Sequence, residues 1–155
     1  MIGTSKYKKK AEILVRSCES IVVTSFEDIA QYSQLVADLE HKRQIDVWDR
    51  MVLVASVGTA VIELENRMRD RDFQSFYSII AKMLGKLDSH GPELLSHLLM
   101  FIHAQEERGH PRVNSVGAWV LSNIKGAAPT VEELTPAAYI GDYLKRSLAS
   151  WWSTL

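Results

Sequence analysis

Apolar residues recur along this chain at steps of three and four, and nowhere in the sustained alternation that marks a half-buried strand, so the pattern predicts helices throughout. The first periodic stretch runs from Tyr7 to Val23, with Leu14, Cys18, Ile21 and Val22 on one stripe. Thr24-Ser25-Phe26-Glu27-Asp28 then offers overlapping capping boxes, in which a hydroxyl accepts from an orphan backbone N–H and an acid three residues on reaches back. A second helix is expected over about 26–43.

Asp46 is a candidate cap for a third helix carrying Trp48, Met51, Val52, Ala55 and Ile62. From Met51 to Leu64 this segment is apolar nearly all round, and Ala55, Ser56, Gly58, Thr59 and Ala60 would let neighbours approach closely, so it is expected at the centre of the fold. Glu63 to Asp72 alternates in sign and reads as a solvated, ion-paired helix end. Asp72 is placed to cap a fourth helix through Phe73, Phe76, Tyr77, Ile80 and Leu84.

Gly91-Pro92-Glu93 sets proline at a first helical position, and Gly109 with Pro111 supplies a stop, which predicts a helix over 92–108. A shorter helix follows from Val113 to Ile124 and ends near Gly126, and Thr135-Pro136 reads as the start of a C-terminal helix. The reading is all-α: a single-domain compact bundle of about seven helices over residues 1–155, with a central hydrophobic helix near residues 47–70, and with residues 1–10 as a flexible basic N-terminus.

Composition agrees with a packed domain: 46% of residues are hydrophobic and 24% charged, far from the signature of disorder. The formal net charge of −1 gives the whole molecule no field for nucleic acid or anionic lipid, so any such attraction must be local. Cys18 is the single cysteine, which excludes an internal disulfide and fits a reducing, cytoplasmic setting. The most apolar run, Met51 to Ile62, is shorter than the ~20 residues a membrane-spanning helix needs, so no span is expected.

Catalytic and cofactor motifs are missing. There is no nucleophile elbow, dinucleotide fingerprint, P-loop or His-Glu-x-x-His, and no cofactor is expected. Cys18 lies on an apolar stripe and reads as a small core residue. Histidine positions lack the spacing a globin needs for haem. Four of the five histidines, His90, His97, His103 and His110, fall on one helix and its ends, but as two pairs about 120° apart. Glu93, His97, His103 and Glu107 are therefore only a weak candidate metal or catalytic set, because the Glu-x-x-His element at Glu107 and His110 stands alone where a di-iron bundle needs two.

Two features suit a macromolecular partner. The C-terminal stripe of Ile140, Leu144, Leu148, Trp151 and Leu155, widened by Tyr139, Tyr143 and Trp152, is rich in the aromatic residues that anchor interfaces. Either this helix docks on the chain's own core, or Tyr139, Tyr143, Leu148, Trp151 and Trp152 are the partner-binding residues of a non-enzymatic adaptor domain that binds a protein or self-associates. The alternative is nucleic acid, met by Lys6, Lys8, Lys9, Lys10 and Arg16, with Lys42-Arg43, as phosphate contacts. Thr130-Val-Glu-Glu-Leu followed by Tyr139 to Arg146 superficially follows a helix-turn-helix pattern, against which Pro136 and the acids Glu132 and Glu133 argue.

Overall fold

The computed structural model describes residues 2–31 and 41–153, with side chains described over 6–31 and 46–153. Seven α-helices lie among the described residues: α1 (Ile2–Ala30), α2 (His41–Arg67), α3 (Asp70–Leu87), α4 (Gly91–Glu107), α5 (Arg112–Lys125), α6 (Leu134–Ser147) and the short α7 (Ala149–Trp152). A 3₁₀ turn, Val131–Glu133, leads into α6. No strand occurs among the described residues, as the hydrophobic pattern predicts.

α2 is the central helix. It packs against α1, α3, α4, α5 and α6, and Val52, Val54, Ala55, Val57, Ala60 and Val61 are all buried on it. Burial on several sides of one helix requires short side chains wherever another backbone comes near. α3 buries a single stripe of Phe76, Ile80 and Leu84 at four-residue steps, the spacing that puts side chains one above another.

The first helix differs from its expected limits. It runs unbroken through Thr24 and Ser25, because Ser25 spends its hydroxyl elsewhere. The buried Ser25 Oγ donates to the Val22 carbonyl at 3.2 Å and accepts from Trp48 Nε1 at 3.0 Å, and the Phe26 ring meets Trp48 edge-on. A polar group needed to satisfy a buried indole is not free to end a helix. Of the expected second helix over 26–43, residues 26–30 belong to α1 and 41–43 to α2, and 32–40 lie outside the described residues. Asp46 sits inside α2 and does not cap it.

α4 begins at Gly91 with Pro92 in its first turn, as expected, and its entry is held by Asp88, whose carboxylate accepts from the His90 N–H at 3.0 Å. α5 ends at Gly126, which takes the left-handed conformation (φ 74°) that a helix C-terminus favours in glycine. The C-terminal helix starts earlier than Thr135: Thr130 and Glu133 form the capping box, and the 3₁₀ turn runs directly into α6. That continuity leaves no turn between two helices, so the helix-turn-helix pattern is not built. The aromatic C-terminal stripe is interrupted at Leu148, where α7 begins.

α5 and α6 approach closely. A Cβ added to Gly117 would lie 1.6 Å from the Ala137 carbonyl oxygen, and one added to Gly141 would lie 1.8 Å from the Val113 carbonyl oxygen. Gly117 is one turn past Val113 and Gly141 one turn past Ala137, so each helix seats its glycine against the other's backbone.

Candidate functional site

The C-terminal aromatic residues lie mainly inside. Leu148 is fully buried and Trp151 only 2% exposed, and the Trp151 indole donates to the Lys10 carbonyl on α1 at 3.4 Å. Tyr143 donates to Asp28 Oδ2 at 2.7 Å and lies 3.4 Å from Thr24 Oγ1; burial, with Asp28 adding to it, pushes its hydroxyl above the ordinary tyrosine value. Tyr139 and Trp152 are half-buried against the core, and Trp152 carries the Arg67 guanidinium over its ring at 5.1 Å. Of the two readings of this helix, Leu148 and Trp151 follow the one that docks it on the chain's own core. Their aromatic surplus closes the bundle over α1.

The basic residues of α1 do not form one patch. Lys6 and Lys10, one turn apart, line a cleft with Tyr7, Arg67, Arg69, Asp72 and Phe76. Lys8 and Arg16 line a different groove, where Glu12 and Glu19 offset them. Lys9 is exposed, and the Lys42 and Arg43 side chains lie outside the described ones. Residues 2–10 are helical, where a flexible basic N-terminus is expected from sequence.

Nor do the histidine-helix candidates converge. Glu93, His97, His103 and Glu107 are exposed, and His103 Nε2 lies 3.3 Å from Glu65 on α2. No group of three His, Cys, Asp or Glu side chains among the described residues could hold a metal ion. Cys18 is fully buried, and burial pushes its thiol well above the ordinary value, so it is not an ionised nucleophile at neutral pH.

A groove of about 340 Å³ lies instead between α4, α5 and the segment leading into α6. Phe101, Ala118, Ala128, Pro129 and Leu134 give it an apolar lining, with Gln105, His110, Asn114 and Ser122 as polar partners. No Asp, Glu, Lys or Arg lines it, whereas four other grooves of similar size all carry charged side chains. Beside it Val131 is 85% and Leu134 54% exposed. Three residues apart across a 3₁₀ turn, the two stand nearly one above the other.

That turn is held in place. Glu133 is buried, accepts from the Thr130 N–H at 3.2 Å and hydroxyl at 3.0 Å, and receives the Lys125 ammonium from the end of α5. Lys125, assisted by Thr130, holds the Glu133 carboxyl below the usual range against the opposing effect of burial. A depressed folded value contributes stability that is complete above the ordinary Glu value, about 4.3, and disappears as pH falls through the folded one. Glu133→Gln is therefore expected to lower unfolding free energy by a constant amount above about pH 5.5, with the difference from wild type shrinking as the pH drops below about 4. Urea unfolding across pH checks this, and a difference independent of pH would contradict it.

The chain matches no family model, no curated protein and no solved structure. No described helix is long and apolar enough to cross a membrane. The groove and the basic cleft are thus read from their own chemistry.

Proposed function

We propose that this chain is a non-enzymatic interaction domain that self-associates through the groove between α4, α5 and the start of α6. The observation that carries the reading is a groove without Asp, Glu, Lys or Arg whose wall includes the half-exposed Leu134, with the exposed Val131 three residues before it. Interface centres are depleted of charge and enriched in apolar side chains. Val131 and Leu134 are exposed together on a turn pinned by the Lys125–Glu133 pair, and continuous with the groove they make an apolar patch that a partner would cover.

A second copy is the partner that fits. A two-fold interface requires a patch to be complementary to itself, and here a projection and a hollow of matching apolar character lie side by side, so each copy can insert its Val131 edge into the other's groove. The absence of charge in the lining means that two copies do not repel there. The single buried Cys18 supports a reducing intracellular setting for such an assembly.

The test is sedimentation velocity over a concentration series for wild type, Val131→Asp and Leu134→Asp. Wild type is expected to show concentration-dependent dimers, and either aspartate to yield monomer with an unchanged helical circular-dichroism spectrum. A wild-type monomer at every concentration, or dimers indifferent to both substitutions, would sink the reading.

A further inference from the structure

The cleft between α1 and the α2–α3 turn has the opposite chemistry, and it lies outside the self-association groove. Its volume is about 360 Å³, within the range of small-ligand sites. Four cations line it, Lys6 and Lys10 from α1 with Arg67 from the end of α2 and Arg69 from the turn, against one carboxylate, Asp72. In a chain with a net charge of −1, this is a marked concentration of positive charge. The one acid sits beside Tyr7, whose hydroxyl is pushed above the ordinary tyrosine value by burial first and by Asp72 second. Lys6, Lys10 and Arg69 have no carboxylate within ion-pair distance among the described residues, and Arg67 reaches only Glu63, at 3.9 Å.

We propose that this cleft binds the phosphate group of a small phosphorylated molecule. Cations brought together from separate segments, three of the four without a carboxylate partner, repel one another, and a multiply charged anion that accepts from them removes that cost. Arginine supplies the planar fork and lysine the point charge that phosphate recognition uses. The first turn of α3 opens nearby but carries Asp70 and Asp72, which take up its field, so the four side chains carry the site. A small ligand fits better than a nucleic-acid strand. Lys8 and Arg16 fall in another groove among acids, so no continuous basic track follows α1. Tyr7, Leu64, Met68 and Phe76 provide an apolar wall for the body of the ligand.

Calorimetric titration of the full chain with inorganic pyrophosphate and with a nucleoside triphosphate tests the site. One saturable site per chain is expected, weakened about tenfold or more by Lys6→Gln with Arg69→Gln, since bonds to charged groups are lost. Lys8→Gln with Lys9→Gln, which removes the same number of charges outside the cleft, should change affinity less than about twofold. Arg67 is left intact because it stacks on Trp152. Two further arms separate the sources of phosphate: single-stranded oligonucleotides of two lengths, and vesicles of anionic phospholipid. Absence of saturable pyrophosphate binding, equal loss in both double variants, oligonucleotide affinity that climbs with length, or vesicle binding without pyrophosphate binding would each overturn the proposal.

Discussion

Gly117→Ala and Gly141→Ala are each expected to destabilise the protein by about 3 kcal/mol, although alanine is the better helix former by about 1 kcal/mol. The two effects have opposite signs, and geometry decides between them. The added methyl would fall 1.6 Å from the Ala137 carbonyl oxygen in one case and 1.8 Å from that of Val113 in the other. The obstacle is backbone, which cannot rotate aside, so α5 and α6 must separate and disturb Val116, Val120, Ile140 and Leu144 beneath them. For a chain of this size the thermal midpoint should fall by roughly 6–12 °C. Chemical and thermal unfolding measure both quantities. A midpoint raised by either alanine would mean that the helices do not touch at these positions.

Trp151→Ala should cost about 3–5 kcal/mol, the usual penalty for emptying a large aromatic site in a core. Trp152→Ala should cost no more than about 1 kcal/mol, because its half-buried ring contributes mainly the edge contact with Trp151 and the Arg67 cation. Were the adjacent tryptophans a docking surface, both substitutions would leave stability alone. Urea unfolding of the two single variants distinguishes these cases, and equal small effects would return Trp151 to the surface.

The helical class, the central position of residues 51–64 and the boundaries around Gly91-Pro92 and Gly126 were legible because each rests on chemistry within a few residues. Ser25 was not. Whether its hydroxyl caps a helix or receives an indole depends on Trp48, 23 positions away, and local pattern contains nothing about that encounter. The cover of Trp151 was left open for the same reason. An amphipathic stripe announces that it will be buried, and leaves open whether its cover is another molecule or Lys10 of the same chain.

The groove was invisible for a further cause: Phe101, Asn114, Ser122 and Leu134 come from separate elements and share no spacing. One local signal was present and unused. Gly117 and Gly141 each sit inside an apolar helical pattern, where glycine is costly, and such a residue points to a neighbouring backbone in contact. The basic cleft was half legible. Lys6 and Lys10 are one turn apart in sequence, but only the fold brings Arg67 and Arg69 beside them, and it sends Lys8 and Arg16 to another groove.

The bond from the Trp151 indole to the Lys10 carbonyl spans 141 positions of sequence. On a ribosome adding about 5–20 residues each second, the segment around Lys10 emerges roughly 7–28 s before its cover is made. Throughout that interval Ala11 and Leu14, both fully buried in the finished protein, have no α7 to shield them. A chain truncated before Trp151 would lack this tie between its last helix and its first.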